Sequence, residues 1–262
     1  MAKTYPLSRF FKWIGTSLLL VASVVACAGL PSIGPTSWKE EALLHDGSKI
    51  VVSRSVSRGG RHEVGQEGTY QEQTLSFTIP KSNRTVRWED HRSEELGASN
   101  FLPMLLDVYG DVAYLVVSPM GCLSYNKWGR PNPPYVVFKY DRATWQQVPL
   151  AELPAESKAV NLIFSMPDFK VEQAGTRFMS SEMIRAIVAN YDQPEYRSIL
   201  RESLRGKGSG VTSCLAMQPD GNGGWIGTDS FRHSTREQCL EFCARKRISA
   251  DYCKCTITGE GK

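Results

Sequence analysis

The sequence predicts an α+β fold: a mainly antiparallel β body, arranged as a sandwich, barrel or partial propeller, followed by helices and a small disulfide-stapled helix–strand C-terminal unit. The body is predicted because short runs of alternating apolar residues are separated by turn signals about every 8–12 residues, from residue 38 to about residue 166. The C-terminal unit is predicted because four of the seven cysteines lie at or after Cys239.

Hydrophobic alternation defines the strands of the body. Leu75, Phe77 and Ile79 recur at every second position and therefore share one face of a strand. The apolar run at residues 160–166 predicts a last short strand. Turn-forming residues between such runs predict hairpins at residues 46–47, 110–111 and 141–144.

Two helices are predicted after the strands. The first ends at residue 190, has Ser180 or Ser181 as its N-cap and carries an apolar stripe. The second has Pro194 in its first turn and Gly206 just beyond its end, which is the usual asymmetry of a helix.

The N-terminus is typical of an export signal. Lys3, Arg9 and Lys12 make a basic start, and an apolar stretch follows from residue 13 to residue 26. A bilayer-spanning helix needs about 20 apolar residues, so this stretch matches the shorter core of a signal peptide. Residues 1–26 are therefore predicted to be a signal peptide.

The apolar stretch ends in Val24–Cys27, with the sequence VVAC. It resembles the lipobox of bacterial lipoproteins. The resemblance implies that Cys27 becomes the first mature residue and carries acyl chains such as palmitate, that residues 27–37 form a lipidated tether, and that the protein faces the periplasm. Ala28, in place of Asp, implies the outer membrane rather than the inner one. The alternatives are ordinary cleavage after Ala28, which gives a soluble exported protein, and an uncleaved anchor.

The four C-terminal cysteines have two different spacings. Cys239 and Cys243 share one face of a predicted helix that starts with a capping box at residues 234–237. Cys253 and Cys255 share one face of a predicted strand. Sulfurs on the two faces can meet, so Cys239 is expected to pair with Cys253 or Cys255, and Cys243 with the other.

This spacing resembles the helix–strand clasp of cysteine-stabilised αβ miniproteins over about 20 residues. The resemblance implies architecture and no toxin activity. Four cysteines can also bind zinc, but export to an oxidising compartment favours disulfides. Elimination then pairs Cys122 with Cys214, which would staple the tail to the body.

The sequence predicts two domains and a balanced charge after residue 26. Residues 38–205 are predicted to form the β-rich body with its two helices, and residues 206–262 are predicted to form the small cysteine-rich subdomain. Three of the 31 Lys and Arg residues and none of the 27 acidic ones lie in residues 1–26, which leaves 28 basic against 27 acidic groups. This balance gives no reason to expect a nucleic-acid partner.

No complete catalytic motif, cofactor site or metal site is predicted. The chain has no nucleophile elbow and no complete phosphate loop. The most polar cluster contains Glu89, Asp90, His91, Glu94 and Glu95. One interpretation is an acid pair for hydrolysis, and the other is a solvated strand end.

Trp128, Arg130 and Tyr135 lie in a proline-rich stretch. Prolines restrict such a loop, and Trp, Tyr and Arg often anchor partner surfaces. These three residues are therefore a candidate binding site, with a rigid loop packed on the body as the competing interpretation.

Taken together, the sequence favours a membrane-anchored bacterial envelope lipoprotein that acts without catalysis. Its expected partners are the membrane, through the lipid, and another envelope protein or envelope component. A protective, immunity-like role is one version of this hypothesis. The alternative is a periplasmic hydrolase of cell-wall or glycan material that uses the Glu89–Glu95 cluster.

Overall fold

The computed structural model describes residues 35–60, 63, 66–205 and 210–257. The predicted signal peptide, Cys27 and residues 28–34 of the predicted tether lie outside the described residues, as do residues 206–209 at the start of the predicted cysteine-rich subdomain. The described residues from Thr36 onward belong to one compact unit.

Thirteen strands and four α-helices are present in the described residues. The helices are α1 (Gly121–Lys127), α2 (Pro167–Ala174), α3 (Ser181–Ala189) and α4 (Arg236–Lys246). The strands of the body are β1 (Thr36–Leu43), β2 (Lys49–Gly59), β3 (Thr69–Ile79), β4 (Arg84–His91), β5 (Phe101–Tyr109), β6 (Val112–Pro119), β7 (Val136–Asp141), β8 (Thr144–Val148) and β9 (Phe178–Met179). The C-terminal strands are β10 (Met217–Pro219), β11 (Trp225–Gly227), β12 (Arg232–His233) and β13 (Thr256–Ile257).

The body consists of two sheets. The first has the strand order β4-β3-β2-β1-β9, in which only β9 is parallel to its neighbour, and the second is the antiparallel meander β5-β6-β7-β8. The hairpins at 46–47, 110–111 and 141–144 are present as predicted. The α+β fold is therefore confirmed, and neither of the two sheets closes into a barrel.

The second sheet is covered on both faces. Leu75 of β3 and Leu115 of β6 belong to one buried cluster between the two sheets. Val116, whose side chain points the other way from Leu115, lies in a second cluster with Ile163 and with Ile184 of α3. Burial on both faces explains why β5 and β6 are almost continuously apolar.

The strand predicted at 160–166 is wrong. The amides of Asn161 and Leu162 both donate to the carbonyl of Met104, so no regular ladder forms. The amide of Ile163 donates to the buried carboxylate of Glu40 at 3.0 Å, and its carbonyl accepts from Arg54. These contacts satisfy the backbone that a strand would otherwise pair.

The second predicted helix is also wrong. Only a 3₁₀ turn at Pro194–Tyr196 forms there. The hydroxyl of Tyr135 donates to the carbonyls of Glu195 and Ser198, and the amide of Leu204 donates to Asn132. Contacts with distant side chains outweigh the local helical pattern.

The remaining helix predictions hold with one change of cap. Ser180 caps α3 by accepting from the amide of Met183, as expected. In α4 the cap is Thr235, which accepts from the amide of Gln238, rather than Ser234. The predicted C-terminal strand is shorter than expected, since Ala250–Tyr252 forms a 3₁₀ turn and only β13 pairs with β12.

Candidate functional site

A cavity of about 750 Å³ opens at the end of the first sheet where β2 finishes and β3 begins. Pockets for small molecules are roughly 300–1,000 Å³, so this volume is sufficient for a ligand. Most of its lining is apolar, from Leu96, Leu102, Met120, Leu123, Met166 and Phe169 among others. We refer to it as the apolar pocket.

Separate elements bring these side chains together. Leu102 comes from β5, Met120 lies between β6 and α1, and Leu123 is in α1. Met166 and Phe169 are at the start of α2 and are 52% and 46% exposed. Large apolar side chains that exposed, next to a cavity, are typical of an interaction site.

Met166 holds an unusual backbone conformation at the opening of the pocket. Its φ and ψ are 46° and 54°, in the left-handed region, directly before Pro167 at the start of α2. That region costs roughly 1–2 kcal/mol for a residue with a Cβ. Strain of this kind concentrates at functional sites, and here it directs the chain into α2.

A polar network borders the apolar lining. The Arg58 guanidinium donates from Nε to Asp168 Oδ2 at 2.6 Å and from Nη2 to Asp168 Oδ1 at 3.0 Å. It also donates hydrogen bonds to the Gly68 carbonyl at 3.0 Å and the Tyr70 hydroxyl at 2.9 Å. The bidentate geometry fixes the guanidinium, and every nitrogen of Arg58 has an acceptor.

The network also shifts proton affinities. Burial acts to raise the pKa of Asp168, but the hydrogen bonds from Arg58 and Tyr70 and the guanidinium charge outweigh it and hold this pKa below 3.8. Burial, followed by the hydrogen bond to Asp168, raises the pKa of Tyr70. At neutral pH the pair is thus ionised, and Tyr70 remains a hydrogen-bond donor.

Two glycines allow the backbone to approach closely beside this network. A Cβ on Gly68 would lie 2.7 Å from the carbonyl oxygen of Gly59 and 2.9 Å from its amide nitrogen. Both neighbours are backbone atoms, which cannot swing away. Gly68 therefore keeps its carbonyl within reach of Arg58.

The wall formed by α1 is fixed to the C-terminal part of the chain. Cys122 is disulfide-bonded to Cys214. Asn126 Nδ2 donates to the Leu215 carbonyl at 2.9 Å, and Arg130 Nη2 donates to the Cys214 carbonyl at 2.7 Å. The covalent bond and these hydrogen bonds hold one side of the pocket in place.

No family model, curated protein or solved structure matches this chain. The function must therefore be argued from the geometry.

Trp128, Arg130 and Tyr135 each make contacts with other residues of this chain. The ring of Trp128 packs on Phe101 with centroids 4.5 Å apart. Arg130 bonds to the Cys214 and Leu215 carbonyls, and the buried Tyr135 hydroxyl bonds to the chain near Glu195. The structure assigns these three side chains to holding loops together, and none of them lines the apolar pocket.

The acidic cluster is spread over two faces of β4. Asp90 points inward and accepts from the amides of Asn100 and Phe101 at 2.8 Å each. Glu89 and His91 point outward and are exposed. Residues 94 and 95 are exposed in the following turn. The geometry therefore gives the hydrolase hypothesis no support, because these acids do not converge on a cleft.

The C-terminal cysteines form two disulfides, Cys239–Cys255 and Cys243–Cys253. The prediction of disulfide bonds is confirmed, and the structure selects one of the two pairings left open. All four Sγ atoms lie within 4.8 Å of one another. Such proximity is expected for two neighbouring disulfides and also for the alternative zinc site. The bonded cysteines anchor a small cluster that includes Phe231 and Ile248.

The apolar pocket is the feature that sequence reasoning missed. Arg58 and Asp168 are 110 residues apart, and neither belongs to a motif. Two local signals were present: Met166 before Pro167, and Met120 before Gly121. Lipidation of Cys27 stays a prediction, since that residue lies outside the described part of the chain. Among the described residues, no helix has the length and apolar content to cross a membrane.

Proposed function

We propose that this protein is a lipid-anchored bacterial envelope protein that acts without catalysis, and that the apolar pocket is where it binds an envelope component. The observation that carries the proposal is the pocket itself, which joins a ligand-sized volume to exposed Met166 and Phe169 at its opening.

The chemistry of the lining supports binding over catalysis. Among the described lining residues, the titratable side chains are Arg58, Glu67 and Tyr70. Arg58 is committed to Asp168, and Tyr70 keeps its proton because its pKa is raised. A general base needs a pKa near the working pH and a free lone pair, and neither Arg58 nor Tyr70 meets that requirement. The carboxylate of Glu67 is 67% exposed and lies 3.4 Å from Arg58 Nε, so it is solvated and faces a cation.

The proposed location has support from two sources. The lipobox-like Val24–Cys27 follows a basic and then apolar start. Disulfides persist in oxidising compartments such as the periplasm, and the described chain contains three. A protective, immunity-like role is compatible with this proposal and would use the same pocket to engage its partner.

Affinity capture from the native envelope tests the binding function. The wild-type chain is compared with the double variant Met166→Asn/Phe169→Asn; both sites are exposed, and Asn tolerates the left-handed backbone at 166. Phe178→Asn is the matched control, since Phe178 is 42% exposed and lies outside the pocket. The proposal expects a component that is retained by the wild type and the control and lost by the double variant. Identical material from all three would overturn it.

A further inference from the structure

We propose that the apolar pocket holds an unbranched hydrocarbon, specifically the acyl chain of a membrane phospholipid, with the headgroup left outside. This inference rests on the proposed binding function, because it names the ligand class of the same pocket. Four properties of the described residues lead to it: the lining, the charges, the backbone and the position of the pocket in the sheet.

The lining suits a flexible apolar chain. Met120 and Met166 stand on different elements and provide unbranched, adaptable side chains. Phe169 and Leu123 add apolar surface. Because the apolar side chains come from several elements, they cover the walls of the cavity and not only one patch. A hydrocarbon chain gains from such burial without needing any polar partner.

The charges near the lining are already paired. Four of the five Arg58 N–H groups are given to Asp168, Gly68 and Tyr70, so at most one remains for an anionic group inside the pocket. The other charged lining residue, Glu67, is acidic and lies 3.4 Å from Arg58. A phosphate or carboxylate is therefore disfavoured inside, whereas a neutral tail meets no penalty.

The backbone around the pocket argues against an extended peptide. Strands β2 and β3 each have a neighbour on both sides in the first sheet. The Tyr70 carbonyl accepts from the Ser99 amide, and the Phe101 amide and carbonyl are bonded to Asp90 and Gln73. A peptide brings amide groups that need partners, and these groups are already occupied. A hydrocarbon needs none.

The pocket lies at the end of the sheet where the chain enters the fold. Thr36, the first residue of β1, pairs with Val56, two positions before Arg58 on β2. Thr36 is nine positions after Cys27, and an extended chain spans at most about 3.3–3.6 Å per residue. An acylated Cys27 would therefore keep this end of the body within about 30 Å of the bilayer, near its lipids.

Photocrosslinking tests the inference on the complete protein. The full chain, purified from its membrane, is reconstituted into phospholipid vesicles that contain a phospholipid with a diazirine near the end of one acyl chain. After irradiation, the adducts are mapped by peptide mass spectrometry. The inference expects them on the segments around Met120, Met166 and Phe169. Adducts confined to the acylated N-terminus, or scattered equally over exposed residues such as Leu240, would overturn it.

Two variants sharpen the result. Met166→Asn/Phe169→Asn is expected to reduce the adduct yield about tenfold, and Phe178→Asn to leave it within about twofold of the wild type. Thermal unfolding and the disulfide map of each variant check that it is folded. An unchanged yield in the folded double variant would contradict the assignment of the pocket.

Comparing the crosslinking result with the envelope-capture result distinguishes a failure of the acyl-chain inference from a failure of the proposed binding function. If no acyl chain is crosslinked in the pocket while envelope capture still depends on Met166 and Phe169, the acyl-chain inference fails and the binding function stands. If capture is also independent of these residues, both fail.

Discussion

Single side chains decide whether the pocket keeps its shape, and the ion pair between Arg58 and Asp168 is the first of these. Asp168→Asn leaves the guanidinium with one weakened partner, and at neutral pH we expect a loss of about 1–3 kcal/mol in the free energy of unfolding. Urea titration measures it. Glu67→Gln is the control: Glu67 is 67% exposed, and surface pairs contribute about 0–1 kcal/mol.

The same pair predicts a dependence on pH. The folded pKa of Asp168 is depressed below 3.8, so its stabilisation is complete above the unfolded value and is lost as the pH falls through the folded one. The stability gap between wild type and Asp168→Asn should therefore shrink below about pH 4. A gap that stayed constant from pH 7 to about pH 3 would show that the Asp168 charge contributes nothing.

Gly68 offers a second test at this scale. Gly68→Ala places a Cβ 2.7 Å from the Gly59 carbonyl oxygen, and overpacking against backbone costs about 1–3 kcal/mol. Gly227→Ala is the matched control because its Cβ would meet only the Ala216 carbonyl, at 4.0 Å. It should stay within about 0.5 kcal/mol of the wild type. Equal stabilities for the two variants would show that the close approach of Gly68 to the Gly59 backbone does not restrict the residue at position 68.

Among the elements, α1 depends on its staple to the C-terminal part. The double variant Cys122→Ala/Cys214→Ala should lose about 2–5 kcal/mol. Its disulfide spans 92 residues against 16 for Cys239–Cys255, so the loop-closure contribution is larger by roughly 1.5 kcal/mol. Chemical denaturation of this variant and of Cys239→Ala/Cys255→Ala compares the two losses in the free energy of unfolding. A smaller loss at Cys122–Cys214 would mean that Asn126 and Arg130 hold α1 without it.

Elements were predictable where a local pattern sufficed. Short apolar or alternating runs separated by turn-forming residues predicted β1 to β8, because those signals depend only on near neighbours. The errors lie at residues 160–166 and 193–206, where Glu40, Arg54 and Tyr135 supply the hydrogen bonds. Those partners are distant in sequence, so no local pattern contains them.

At the scale of the whole molecule, the predicted lipid anchor can be tested directly. Cys27→Ala removes the predicted acylation site but keeps the ordinary cleavage after Ala28 that the sequence also allows. We therefore expect the protein to move from the membrane fraction to the soluble periplasmic fraction. Cell fractionation, with the mass of the mature N-terminus, measures this. Leu240→Ala is the control because it changes an exposed residue outside the signal. An unacylated wild-type N-terminus would refute the anchor directly.

Architecture could be predicted from the sequence better than the site could, and the location stays a prediction. Export signals and cysteine spacings are short, contiguous patterns. The apolar pocket joins residues from β2, β3, β5, α1 and α2, and the neighbouring polar partners Arg58 and Asp168 are 110 residues apart in sequence. Trp128 packs on Phe101, and Arg130 and Tyr135 donate hydrogen bonds to distant carbonyls. Their role in binding a partner stays a prediction.

The most direct test of the central claim uses the methionine methyl groups as reporters. The full chain, labelled at these methyls, is placed in lipid nanodiscs, and nuclear Overhauser contacts to acyl-chain protons are recorded. We expect nuclear Overhauser contacts to acyl chains at Met120 and Met166, which line the pocket. We expect none at Met104 or Met179, which are fully buried outside the pocket. Contacts missing from Met120 and Met166, or equally strong at Met183 in α3, would contradict the acyl-chain assignment.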